Sequence, residues 1–155
     1  MPYSPGSAFV SVAPANPTAI ASATYQMNGL GVAGATAWTI TPANTGRVYV
    51  AVIGDLVENA TAQTATVQLS FGTGAAPANA AAVTGTQVGG QLSWTSLTGI
   101  LTIPFTLVWV ITGLAVPTPN SLGVFSASTP VWLDVAAKSS AGTVQLTNLS
   151  CIAYE

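Results

Sequence analysis

The sequence predicts an all-β protein, an antiparallel β-sandwich of the jelly-roll type in a single domain, and three observations carry that expectation. Stretches of alternating bulky and small or polar residues recur along the chain, the period of a strand with one buried face. Clusters rich in Pro, Gly, Asn and Ser separate them, as in APANP, NGLGVAG, TPANTG, VPTPNS and KSSAG. No stretch sustains a helical period with caps, and a run of about eight to ten short strands is the pattern of a sandwich or jelly roll.

In chain order, residues 1–20 read as an N-terminal arm or first strand, with SAFVSVA (7–13) the strand-like part, and residues 21–155 as the sandwich. SATYQM (22–27) and ATAWTIT (35–41) follow as short strands. Val48, Val50 and Val52 define one face of a strand that ends at Gly54, and Val67, Leu69 and Phe71 one face of the next. Residues 71–90, FGTGAAPANAAAVTGTQVGG, hold no charge and read as a long connection, with at most a turn of helix near its alanines. QLSWTSL (91–97) reads as a strand. GILTIPFTLVWVITGLAV (99–116) is long and apolar enough to suggest a membrane helix. Its period decides for a strand: Leu101, Ile103, Phe105, Leu107, Trp109 and Ile111 alternate with smaller, partly polar residues, and no Lys or Arg flanks the run. Val131, Leu133 and Val135 mark a further strand, and residues 143–155 the last.

Charge is the outlying feature. Arg47, Lys138, Asp55, Glu58, Asp134 and Glu155 are the six formal charges among 155 residues, 4% where ordinary soluble domains carry roughly 25%. A surface so poor in charge is expected to lie against copies of itself or another protein. Two basic residues are too few to neutralise a nucleic-acid backbone, so neither nucleic acid nor membrane is an expected partner. The first fifteen residues lack a basic region and are interrupted by prolines, which reads against a secretory signal.

Chemistry-bearing motifs are few. The absence of histidine removes Ser-His-Asp and Cys-His arrangements and the commonest zinc ligand. Asp55 and Glu58 in GDLVEN read as a solvated turn after Gly54, with a weak cation site at Asp55, Glu58 and Asn59 the lesser alternative. GLGVAG (29–34) has dinucleotide-loop spacing but leads into a strand rather than a helix, so it reads as a glycine-rich turn. The NAT and NLS sequons at Asn59 and Asn148 carry little weight without export. Cys151 reads as a small buried hydrophobe. No catalytic residue, cofactor or metal is expected.

Trp109 falls on the bulky face of its strand and is expected in the core, while Trp38 and Trp94 are open. Trp132 shares a strand face with Asp134 and Lys138, opposite the Val131, Leu133, Val135 set, and is expected to point outward as an interface anchor. A glycan platform beside Asp134 is its competing use. The neutral 71–90 connection is expected to lie against a neighbouring subunit, so Phe71, Pro77, Asn79, Ala80, Ala81, Ala82 and Trp132, together with the N-terminal arm, are the candidate contact elements.

Two segments carry a resemblance. TPANTGRVYVAVIG, with Thr41, Pro42, Thr45, Gly46 and Arg47, and the later GTGAAPAN, with Gly72, Thr73, Gly74, Pro77, Ala78 and Asn79, together resemble small β-rich virion proteins of tailed bacteriophages. Such proteins look like jelly rolls that decorate or cement capsids as homotrimers. The resemblance implies a structural role at the capsid surface of a virion assembled from chains made in the host cytoplasm, with the major capsid protein and the chain itself as partners. The alternative is a fibre- or tail-associated sandwich that binds host glycan; a hydrolase is disfavoured by the missing histidine and scarce acids.

Overall fold

The computed structural model describes residues 8–32, 34–96, 99–118, 121 and 128–155, without side-chain detail at 89–92. Among them nine strands are present and no helix: β1 (Phe9–Val12), β2 (Gln26–Met27), β3 (Thr39–Ile40), β4 (Val48–Glu58), β5 (Thr64–Thr73), β6 (Thr86–Thr95), β7 (Leu101–Ile111), β8 (Val131–Ser139) and β9 (Val144–Tyr154). All pairings are antiparallel. One sheet has the order β1-β9-β4-β7. The other has the order β2-β8-β5-β6, with β3 also on β8.

β2 and β3 pair with successive parts of β8, Gln26 with Ala137 and Thr39 with Trp132, so together they form one interrupted edge strand. Counted so, eight strands make two four-stranded sheets. The chain changes sheet at every connection except β5 to β6, the wrapping of a jelly roll. The predicted first strand is the edge strand β1. Residues 1–7 of the expected N-terminal arm lie outside the described residues, as do Ala33 of the GLGVAG turn, Leu97 of the expected 91–97 strand, and Pro119 and Asn120 of the expected VPTPNS turn.

The inner faces follow the alternation. Val48, Val50, Val52 and Leu56 of β4, Leu107, Trp109 and Ile111 of β7, Leu146 and Cys151 of β9, and Val67, Leu69, Leu133 and Val135 of the opposite sheet form one core. Trp109 is buried there as expected, and Trp38 joins it. Edges are blunted in several ways. β1 is short, β7 carries Pro104, and β6 sets three residues, Gly89 to Gln91, against the single Gln68 of β5.

Two expectations are corrected. β4 does not stop at Gly54 but alternates through to Glu58. The irregularity lies on β9, where an extra residue next to Asn148, at φ 53°, bulges against β4. The 71–90 segment is also not one connection: β5 takes it to Thr73 and β6 takes it from Thr86, leaving residues 74–85 as the loop.

Candidate interaction surface

The outer face of the β8 sheet is built from alternate residues of β8, Trp132, Asp134, Ala136 and Lys138, paired in register with Gly72, Ser70, Gln68 and Thr66 of β5. Trp132 points away from the core between the sheets, as its strand parity requires. It is not exposed: 4% of its surface meets solvent, and it forms a second cluster with Met27 and Ala136, flanked by Tyr25, Ala76 and Val83. The expected exposed anchor is therefore corrected, because the chain's own segments cross over it.

The glycines explain how. A Cβ on Gly72 would lie 2.6 Å from Trp132 Cζ2, and one on Gly85 would lie 2.6 Å from Cη2 and run into the Phe71 carbonyl, with φ there at +75°. The small residues of the loop thus make room for an indole of the same chain. Within the chain, the close approach that Gly72 and Gly85 permit is to Trp132.

The loop is then fastened to β2. Met27 N–H donates to the Ala81 carbonyl at 2.9 Å, Ala80 N–H donates to the Met27 carbonyl at 2.8 Å, and Gln26 bridges Ala82. Ser70 Oγ donates to the Thr84 carbonyl at 2.8 Å, and Asn79 Nδ2 reaches the carbonyls of Thr18 and Asn28 at 3.3 and 3.4 Å. Ala80 holds the left-handed conformation at φ 62°. Pro77, Asn79 and Ala81 are half-buried, and Phe71 packs against the main core, while Ala80 and Ala82 face solvent. The structure brings these six candidates and Trp132 into one region, with Ala80 and Ala82 on its outer surface.

Beside Trp132, Asp134 is fully buried. Its carboxylate accepts N–H groups from Gly29 (2.8 Å), Leu30 (3.2 Å) and Val135 (2.7 Å), and Asn28 Nδ2 donates to the Val135 carbonyl at 2.5 Å. The start of the GLGVAG turn is thus tied to the sheet by an acid that takes up the Gly29 and Leu30 amides. Burial pushes the Asp134 pKa up to about 7, against the pull of the backbone amides at Leu30, Gly29, Val135 and Asn28. Burial, and secondarily the charge of Asp134, pushes the Cys151 thiol up to about 12, so it is no nucleophile at neutral pH. Lys138 places its ammonium 4.6 Å from the Tyr25 ring centroid.

The acidic pair at the end of β4 is split by strand parity, which corrects the expected solvated turn. Glu58 points inward and is fully buried, its Oε1 accepting the Ala65 N–H at 3.0 Å while Oε2 has no partner. Asp55 points outward and accepts from Asn148 Nδ2 at 2.8 Å. They cannot share a cation, and among the described residues no group of three potential metal ligands occurs. A shallow depression lined by Ile53, Asp55, Pro104 and Asn148 has acid and amide but no tryptophan. Trp38, Trp109 and Trp132 are buried, so Trp132 and Asp134 do not form an exposed sugar platform, and the half-buried Trp94 leans on Phe105 with centroids 6.0 Å apart.

No family model and no curated protein matches the chain. A solved structure of the infectious bursal disease virus Gx strain is similar to it at a TM-score of 0.37 and 15% identity, over 97% of this chain and 33% of that one. The chain thus spans about a third of the length of that neighbour.

Proposed function

We propose that the protein is a non-enzymatic structural component of a virion, a decoration or cement protein that binds between subunits of the major capsid protein at the capsid surface. The supporting observation is the surface. Of six formal charges, Glu58 and Asp134 are buried, so four charged side chains serve 7583 Å² of accessible area. Glu155 among them is already engaged, its two oxygens accepting N–H groups of Ala43, Asn44, Thr45 and Gly46. Such a surface loses little charge solvation when covered, while its apolar area contributes about 25 cal/mol per Å² removed from water. A jelly roll with blunted edges supplies rigidity, and the small-residue loop at 74–85 offers a flat contact whose backbone is already ordered, which keeps the entropic cost of docking low.

The test is co-sedimentation of the purified protein with empty capsid shells, together with the melting temperature of the shells. The expected result is saturable binding and a rise in shell melting temperature. Introducing Ala80→Glu and Ala82→Glu together should weaken binding by about tenfold or more, while the protein's own melting temperature moves by no more than about 2 °C, because both side chains face solvent. Unchanged shell binding by that double variant would remove the loop from the contact. Absence of wild-type binding would remove the capsid role.

A further inference from the structure

The two outer faces of the sandwich are treated differently by the chain. That of the β8 sheet is covered by residues 24–32 and 74–85, whereas no other described segment lies over that of the β1-β9-β4-β7 sheet, where Phe9, Ile53, Val108, Val110 and Tyr154 are exposed. Register places Phe9, Tyr154, Tyr49 and Val110 in one row across all four strands, and Ala51 and Val108 in the next, with Ile53 beyond. Phe9 is 69% and Val108 66% exposed. Tyr49 and Tyr154 stack at 5.3 Å with planes 18° apart, so the row is a firm apolar shelf rather than a set of loose side chains.

Among the described residues, two charged side chains lie along the line of β4 on this face, Arg47 directly before the strand and Asp55 within it. Arg47, exposed and without an ion pair, sits at one end, and Asp55 at the other, four residues to either side of Ala51. Glu155, near Arg47, turns its oxygens into the backbone of residues 43–46. We propose that this face is the contact between two copies of the chain, packed face to face about a two-fold axis passing over Ala51.

The charge pattern selects the arrangement. A two-fold axis across the strands reverses β4 of the second copy, so Arg47 of each copy meets Asp55 of the other, both about 14 Å from the axis at about 3.4 Å per residue. An axis along the strands would set Arg47 against Arg47 and Asp55 against Asp55. Between the charged ends the face is neutral and mainly apolar, with Ser11, Thr106 and Ser150 its small polar members, hence complementary to itself, as a two-fold contact demands. Three strands spaced about 4.8 Å apart over about 27 Å, with the four-residue β1 beside them, give a footprint of about 450 Å² before side-chain relief is added. That approaches the roughly 600 Å² per partner at the lower end of specific interfaces, so a dimer of modest affinity is expected. A two-fold contact closes at two copies, unlike the trimer implied by the resemblance, and it does not rest on the capsid reading.

Sedimentation velocity of the full chain, from about 1 to about 200 μM, tests this. The wild type is expected to dimerise within that range. Arg47→Asp and Asp55→Arg, each alone, should weaken self-association by about tenfold or more at low salt by placing like charges together. An equimolar mixture of the two variants, and the single chain carrying both substitutions, should recover it. Val108→Glu, at a site already exposed to solvent, should abolish it with the melting temperature retained. A wild type that stays monomeric throughout would overturn the proposal, including the case where Arg47→Asp instead loses binding to capsid shells, which would give the face to the capsid protein. Self-association indifferent to both single substitutions, or not recovered in the folded double variant, would overturn it equally, whatever the shell-binding result.

Discussion

Trp132→Ala should lower the unfolding free energy by about 3–5 kcal/mol, the cost of emptying a buried aromatic site, and should lower the melting temperature by about 10 °C for a chain of this length. Trp132 lies in the second cluster with Met27 and Ala136, and Gly72 and Gly85 close over its ring. Without the ring, loop 74–85 keeps its backbone bonds to Met27 but loses the body it rests on. Limited proteolysis should therefore cut there first. Trp132→Phe should cost less, since it keeps an aromatic ring and removes an indole N–H that has no partner. Chemical denaturation measures both. A Trp132→Ala variant within about 1 kcal/mol of wild type would mean that the indole is not packed as described.

The second large effect is a pH dependence with an unusual sign. Carboxylates that are ion-paired or well hydrogen-bonded favour folding when ionised, but burial outweighs the hydrogen bonds at Asp134 and raises its pKa from 3.8 to about 7. The folded state therefore binds its proton more tightly than the unfolded chain does. The Asp134 contribution to stability is fullest below about pH 4, falls as pH rises toward about 7, and is level beyond, with a total loss of about 4 kcal/mol across the window. Glu155 acts in the opposite sense. Burial, the largest single effect, raises its pKa, but the amides of Ala43, Gly46, Thr45 and Ala8 together outweigh it and hold it below its ordinary value, so its contribution is lost as the solution becomes acid. The Glu155 effect falls below the Asp134 window. Urea unfolding between pH 4 and 8 should show stability declining with pH, and Asp134→Asn should flatten that decline. A profile that rises over this range would show that the three amides dominate burial at Asp134.

Much of the architecture was legible because alternation reports directly on which residues share a face. The 99–116 run illustrates it: bulky residues at every second position marked the inner face of β7, and the structure buries Leu107, Trp109 and Ile111 there. The same rule has a blind side. For Trp132 it gave the correct face of the sheet but said nothing of what covers that face, because the cover is formed by non-local pairing of Met27 with Ala80 and Ala81. The glycines were a usable signal, since Gly72 and Gly85 flank a loop too small to fill space unless a large ring fills it instead. Glu58 was missed because Gly54 was read as a strand end. Carried two turns of the alternation further, β4 would have pointed Glu58 inward and Asp55 outward. The outward shelf at Phe9, Tyr49, Tyr154 and Val110 needed the register of four strands, two of them distant in sequence, and no local pattern supplies that.

A charge-poor jelly roll whose surface is meant to be covered should be found covered. The most direct measurement is the size and composition of the particle that contains the native protein, from density-gradient separation of virions followed by quantitative mass spectrometry. The account predicts that the chain bands with intact particles in a fixed ratio to the major capsid protein. Recovery as a highly soluble 15.5 kDa monomer, absent from the particle fractions, would contradict it.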